Sequence, residues 1–440
     1  MASIQFSYQT SCLVNQESLD ELNKRLLPEI DNLQQSQTQA YDTRYAFLNV
    51  PQDKKALQCT QELINEKQKL NPQAIIVIGI GGSCLGPRAV QEALFGTFYN
   101  AHQPDVAIYY ADTVDTDYLY DILLLTEQLL IAQQTVLINI ISKSGTTTET
   151  IANAQIFIEL LKHYYDDEYH HYVIVTTDKD SALWKLAGSK SFARLEIPAR
   201  VGGRYSVLSP VGLFALGLIG VDITQLIAGA QSIITPCLSK TLAENPAAMA
   251  ASCLYSHHTR GIDIHDSFFF SLDLEGVGKW YRQLMGESIG KQKKEHNSIT
   301  RVGITPTVSL GSSDLHSVAQ LYLAGPINRF TSFIRVKKNN SDLVVPEYPE
   351  YTTLVKSLEK KSLPDIMNAI YHGTIIAYSK TKLPFIEIVL PEKTSYYVGQ
   401  FLQYSMIQMV YLGYLLGINP FDQPEVELYK QETRKILAHE

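Results

Sequence analysis

The sequence predicts an α/β fold in two blocks, each a mostly parallel sheet covered by helices on both faces. Three observations carry this. Short β-branched runs end in glycines or hydroxyl-rich turns, helix-like stretches separate them, and the chain of 440 residues is long for one core. Strand signals recur at 74–80 (AIIVIGI), 105–112 (DVAIYYAD), 135–141 (TVLINII) and 172–177 (YVIVTT). Helical sequence lies between them, such as the stretch beginning near Glu149. Such alternation implies right-handed βαβ units.

A helix over 211–218 bridges to the second block, with the boundary near 205–225. That block reads as helices over 224–233, 246–258 and 277–285 and strands over 268–274, 330–336 and 384–390. Closing helices cover 397–416 and 425–437. The blocks share no evident sequence echo, and no short repeat or low-complexity tract occurs.

Bulk properties narrow the function. Hydrophobic residues make up 45% and charged residues 19%, an ordinary globular balance. A net charge of -8 argues against a nucleic-acid footprint, which needs clustered positive charge. The most apolar stretches, 122–141 and 404–418, are interrupted by polar residues and read as core elements rather than membrane spans. The N-terminus has neither the basic nor the apolar region of a secretory signal. Five dispersed cysteines without a CxxC pair read as free thiols in a reducing cytoplasm.

Six stretches carry candidate chemistry. GIGGSCLGPRA (79–89) places glycines, Gly82 and Ser83 at a strand-to-helix turn, where backbone N–H groups can face an anion. It has neither the dinucleotide glycine spacing nor a P-loop GK[ST], so a tight turn without a ligand is an equal reading. ISKSGTTTET (141–150) follows the next strand at its carboxyl end, where open α/β sheets bind ligands. Six of its ten residues carry hydroxyls, and Lys143 adds a positive charge. A capping box, with Thr146 or Thr147 as cap and Glu149 reaching back, would explain one or two of those hydroxyls. Two such turns on neighbouring strand ends favour a phosphate cup for a monoester rather than a nucleotide.

The other four are ambiguous singly. GGRYSVLSPVGL (202–213) presents Arg204 from a glycine turn, although a surface salt bridge is the commoner fate of a lone arginine. KWYRQLMGESIGK (279–291) sets Glu287 at a helix end with Gln283 one turn back on the same face. A carboxylate there can act as a general base, though most helix-end glutamates are solvated charges. SSDLHSVAQLYL (312–323) predicts a helix capped by Ser312, Ser313 or Asp314, with His316 in its first turn near the positive helix end. NPFDQPEVELYK (419–430) predicts Gln423 and Lys430 on one face of a helix. The pairs His170–His171 and His257–His258 lack the spacing of a zinc protease, and KQKKEH (291–296) reads as a solvated loop.

Taken in order, GIGGSCLGPRA, ISKSGTTTET, GGRYSVLSP, GESIGK, DLHS and QPEVELYK closely resemble the glucose-6-phosphate isomerase (phosphoglucose isomerase) family, in its shorter bacterial form. The resemblance runs from about Ile75 to Lys430. It implies two sugar-isomerase (SIS) domains, at 53–210 and 211–400, preceded by a helical segment over 1–52 and completed by helices over 401–440. It also implies a homodimer with His316 donated across the interface, a hexose 6-phosphate substrate, and neither metal nor cofactor.

By resemblance, Ser142, Lys143, Ser144 and Thr147 hold the phosphate together with Gly82 and Ser83. Glu287 moves the proton between C1 and C2, His316 and Lys430 open the sugar ring, Arg204 stabilises the enediolate, and Gln283 and Gln423 contact substrate. The segment between Gly290 and His316 varies within the family, and its basic run is peculiar to this chain. The reaction expected is reversible isomerisation of glucose 6-phosphate and fructose 6-phosphate. An isomerase also accepting mannose 6-phosphate, or a non-catalytic sugar-phosphate sensor, are the alternatives. The sensor would lack Glu287, His316 or Lys430, and all three are present.

Overall fold

A computed structural model describes residues 3–295 and 298–439. The chain opens with a short strand, β1 (Gln5–Ser7), and a long helix, Gln16–Ser36, capped by Asn15. The first sheet follows: β2 (Pro72–Ile78), β3 (Ala107–Ala111), β4 (Thr135–Ile141), β5 (Val173–Thr177) and β6 (Ala193–Glu196). Its order is β3-β2-β4-β5-β6, every pair parallel. The β-branched runs are buried on both faces, as a helix-covered parallel sheet requires.

The second block holds β7 (Ile264–Phe269), an antiparallel hairpin β8 (Lys291–Glu295) and β9 (Ser298–Val302), then β10 (Thr305–Leu310), β11 (Arg329–Lys338) and β12 (Phe385–Glu392). Its sheet runs β10-β7-β11-β12-β1, parallel except for β1. Numbered from its own first strand, each sheet places its second, first, third and fourth strands side by side. The two blocks therefore share one topology without a sequence echo. The fifth place is filled in the second sheet by β1, from the far end of the chain.

Several sequence expectations shift. The strand expected at 268–274 is β7, Ile264–Phe269, and Leu272–Leu274 is a 3-10 turn leading into the Glu275–Ile289 helix. Its first half, IHDS, looks too polar for a core strand. Yet His265 bonds Ser332 at 2.8 Å, and Asp266 Oδ1 accepts from Thr307 (2.6 Å) and Ser309 (3.0 Å), so neighbouring strands supply partners to these buried groups, although Asp266 Oδ2 has none among the described residues. KQKKEH is not a loop: Lys291–Glu295 is a strand, and His296 lies outside the described residues. Pairing with β9 supplies backbone partners that the charged sequence does not advertise.

The apolar 404–418 stretch belongs to the Ser395–Leu416 helix, buried on nearly every side against the Ile223–Cys237 and Pro246–His258 helices. A helix apolar all round is a core helix. Among the described residues no helix is long and apolar enough to cross a membrane.

Candidate active site

In the first sheet the order of connections reverses between β2 and β4, so the loops leaving their carboxyl ends diverge and open a crevice. Both hydroxyl or glycine turns leave from there. The 142–147 turn is held by its own side chains. The Gly145 N–H donates to Ser142 Oγ at 3.1 Å, the Ser142 and Thr147 hydroxyls share a 2.9 Å bond, and the Thr146 N–H and hydroxyl both donate to Ser144 Oγ at 3.3 Å. Thr177 anchors it from below, its hydroxyl donating to the Ser142 carbonyl at 2.5 Å.

Thr147 is the N-cap of the Thr148–Tyr165 helix, but its side chain makes no capping bond, so the capping box with Glu149 is not formed. The hydroxyl turns to Ser142 instead, which leaves the first N–H groups of the helix without a side-chain partner. That arrangement suits an anion. Lys143 is half-buried at the turn, and burial lowers its pKa against the opposing pull of Asp178.

The first glycine turn is packed against three neighbouring stretches. A Cβ on Gly79 would stand 2.6 Å from Ser83 Cβ and 3.0 Å from the Ile141 carbonyl, so Gly79 packs between the first turn and the end of β4. Gly81, at φ 59°, faces the Gln283 amide, and a Cβ on Gly82 would meet the Gly203 carbonyl oxygen at 2.1 Å. Only glycine lets these backbones approach so closely. Four of the six motifs thus meet at one turn.

Arg204 joins the next two. Its guanidinium is 1% exposed, yet all its nitrogens are engaged. Nε donates to Ser288 Oγ (2.9 Å), Nη1 to Glu287 Oε2 (3.0 Å) and Gln423 Oε1 (2.8 Å), and Nη2 to the carbonyls of Pro420 (2.6 Å) and Asp422 (3.2 Å). The surface salt bridge weighed for this arginine is excluded. Gln283 Nε2 donates to Glu287 Oε1 at 2.8 Å, as their one-turn spacing predicts. With its side chain 32% exposed, Glu287 is accessible while both its oxygens are oriented.

Gln423 corrects an expectation. It lies before the Val426–His439 helix, not on one face of it with Lys430. Pro424 disfavours helical backbone at the residue preceding it, and the Arg204 contact uses the resulting turn. Lys430 is on that helix and pairs with Glu427 at 2.7 Å, away from Arg204's partners.

His316 sits on a short helix, Ser313–Ser317. Ser312 is its N-cap without a side-chain bond, while Asp314 ties the helix back by accepting from the Leu310 N–H at 2.8 Å. Five residues supply little of the dipole expected to act on His316. The imidazole is exposed, and among the described residues no hydrogen bond or ion pair joins it to the Arg204 cluster.

Three contributors escaped the sequence reading. Lys291 is buried, donates to the Glu287 carbonyl at 2.7 Å and to the Asp422 carbonyl, and pairs with the Asp422 carboxylate at 3.2 Å. Burial, then the nearby Arg204 charge, lowers its pKa. Its four-residue spacing from Glu287 was the available signal, obscured by the basic run that follows. Ser288 and Tyr205, bonded to each other at 3.0 Å, support Arg204 and carry no local signature.

Among the described residues, Glu168, His170 and His171 place three metal-ligating atoms close together. They precede β5, at the amino end of the sheet and so opposite the crevice.

Two sheets of this topology, with a hydroxyl-lined cup at one switch point and an oriented carboxylate beside a guanidinium, define an α/β protein of the phosphosugar-binding class. The family profile described as phosphoglucose isomerase matches residues 67–440. Glucose-6-phosphate isomerase of Carboxydothermus hydrogenoformans is 35% identical over 374 residues, covering 83% of this chain and 79% of that one. A crystal structure of a hypothetical protein from Thermus thermophilus superposes with a TM-score of 0.84 at 29% identity, covering 99% and 100% of the two chains. That of a glucose-6-phosphate isomerase from Chlamydia trachomatis gives 0.82 at 21% identity, covering 99% and 88%, a likeness of fold. The chain belongs to the phosphoglucose isomerase family.

Proposed function

We propose that this protein interconverts D-glucose 6-phosphate and D-fructose 6-phosphate through ring opening and a cis-enediol. The carrying observation is Glu287, held by Gln283 and Arg204 beside the turn that leads to the phosphate cup. Isomerisation of this type needs one base to move a proton between adjacent carbons and a cation for the oxyanion that develops. Glu287 is the base. Arg204 is the cation, its orientation set before substrate arrives by the carbonyls of Pro420 and Asp422.

The phosphate is held by Ser142, Lys143, Ser144 and Thr147, with Gly82 and Ser83 across the crevice, so that binding energy at the remote end positions the reacting carbons. Gln283 and Gln423 orient the sugar. Lys430 and His316 assist ring opening, His316 from a second copy of the chain. In support of that homodimer, His316 is exposed beside a surface bearing Leu321 (53% exposed) and Ile327 (62% exposed), apolar side chains that a partner would cover. We assign 53–210 and 211–400 as the two SIS-type domains, preceded by the 1–52 segment and followed by the 401–440 helices that complete the active site. The two separate sheets, β2 to β6 in one and β7 with β10 to β12 in the other, support the division into two domains.

The test is a coupled assay of the purified protein with fructose 6-phosphate, beside a mannose 6-phosphate arm. Turnover of fructose 6-phosphate is expected, and its absence would overturn the proposal. In the same assay Ser144→Ala combined with Thr147→Ala is expected to raise KM by roughly tenfold or more, as loss of one or two charge-assisted hydrogen bonds implies. An unchanged KM would place the cup elsewhere.

Lys143 adds a pH dependence. Its ammonium is present below its pKa and lost as pH rises through it. Because burial lowers that pKa, phosphate affinity is expected to fall on the alkaline side earlier than for an ordinary lysine, which titrates near ~10.4. KM measured against pH for wild type and Lys143→Arg checks this. The arginine stays charged and should flatten the alkaline limb, and an identical limb in both would exclude Lys143.

A further inference from the structure

The second sheet has its own switch point. Its connections reverse between β7 and β11, the counterparts of β2 and β4, and the loops leaving these two strands diverge as they do around the phosphate cup. The crevice so formed is a cavity of about 740 Å³. It is bounded by the 270–273 loop after β7, by the end of β11 and the polar residues that follow it, and by the first turns of the Leu363–Lys380 helix. Volumes of this size accommodate small metabolites.

The lining is chemically ordered. Arg335, on β11, lies with its guanidinium 5.0 Å from the centre of the Tyr371 ring, and its Nε is buried without a hydrogen-bond partner. A buried donor without a partner is costly unless something completes it. Lys337, two residues on, reaches the same cavity and forms no ion pair among the described residues. Lys393 also lines it but is neutralised by Asp273. Asp365 accepts from the Ser362 hydroxyl at 2.8 Å and stands at the helix start, with Asn368 one turn further along. Arg335 Nη1 reaches Asn368 Oδ1 at 3.5 Å, but among the described residues neither Arg335 nor Lys337 has a carboxylate partner, and Asp365 and Asp273 line the rest of the cavity.

We propose that this cavity is a second binding site, distinct from the Glu287 site, for a phosphorylated polyol. Arg335 and Lys337 take the phosphate, while Asp365, Asn368 and Asp273 take the hydroxyls. The place is where the topology puts ligands, and the residues differ from those of the cup. The first cup relies on hydroxyls and a helix N-terminus with one lysine, the second on an arginine and a lysine.

Isothermal titration with sorbitol 6-phosphate tests this, since that compound lacks a carbonyl and is not isomerised. Wild type is expected to bind two molecules per chain. Arg335→Ala with Lys337→Ala is expected to remove one binding event, weakening it at least tenfold, while leaving turnover of fructose 6-phosphate intact. Intact turnover also reports that the variant folds. Lys337→Glu, at an exposed position, should weaken the same event without disturbing the Tyr371 contact. Ser144→Ala with Thr147→Ala should weaken the other event alone. One molecule per chain in wild type, or two undiminished events in the Arg335/Lys337 variant, would overturn the second site. Failure of the Ser144/Thr147 variant to weaken either event would instead count against the cup.

Discussion

Glu287→Gln is expected to lower kcat by two to four orders of magnitude, the range that a positioned general base supplies, while fructose 6-phosphate binding stays within a few fold. The volume is preserved, but the amide cannot take the proton. One arm of the amide also presents a donor to a donor, because Glu287 Oε1 accepts from Gln283 and Oε2 from Arg204. Glu287→Asp separates the two effects. It keeps a carboxylate and withdraws it by one methylene, so an intermediate kcat is expected. Single-turnover kinetics and equilibrium binding of substrate read the step and the affinity independently. Near-normal kcat in the glutamine variant would remove Glu287 from the role of base.

Arg204→Ala should be costly twice over. The guanidinium is buried and bonds two backbone carbonyls, a serine hydroxyl, the Gln423 amide oxygen and Glu287. Removing it leaves those acceptors without their donor, and breaking a buried pair in this way costs on the order of 3–5 kcal/mol. The value here should fall toward the low end, since the Glu287 side chain is 32% exposed and water can reach it. Loss of the cation facing the developing oxyanion should lower kcat by a further ~10² to 10³. Arg204→Lys distinguishes structure from charge: a lysine keeps the charge but cannot span five acceptors in one plane. Denaturant unfolding and kcat are the two measurements. Wild-type values of both in the lysine variant would show that the fork geometry is immaterial.

Both variants fall within motifs visible in the sequence. Each motif, however, spoke with an ambiguous voice, and contact between them resolved it. The Gln283–Glu287 pair was legible because a helix enforces its spacing. The loss of the capping box was not, because Thr147 bonds Ser142 five residues earlier rather than its own helix. Gln423 lies outside the helix its spacing from Lys430 suggests, because Pro424 disfavours helical backbone at the residue before it. Lys291 was read as part of a solvated basic run, yet the Asp422 loop, remote in sequence, buries it.

The fold divides in the same way. By itself the sequence determined the parallel sheets, through β-branched runs of the right length, and the position of the hydroxyl-rich turn at the end of β4. It also determined the chemical types offered to the proposed site: hydroxyls, a lysine, a carboxylate and a guanidinium. These are local properties, governed by neighbours within a few residues. Tertiary structure alone decided that β7 begins at Ile264 among polar residues, because neighbouring strands supply hydrogen-bond partners to His265 and to Asp266 Oδ1. It also decided that β1 closes a sheet whose other strands begin more than 250 residues later. Above all, it decided that Arg204 is a buried hub rather than a surface charge. Hydrogen-bond partners contributed from 83 and 219 residues away carry no signature in the residues around Arg204, since their energy arises only when the chain brings them together.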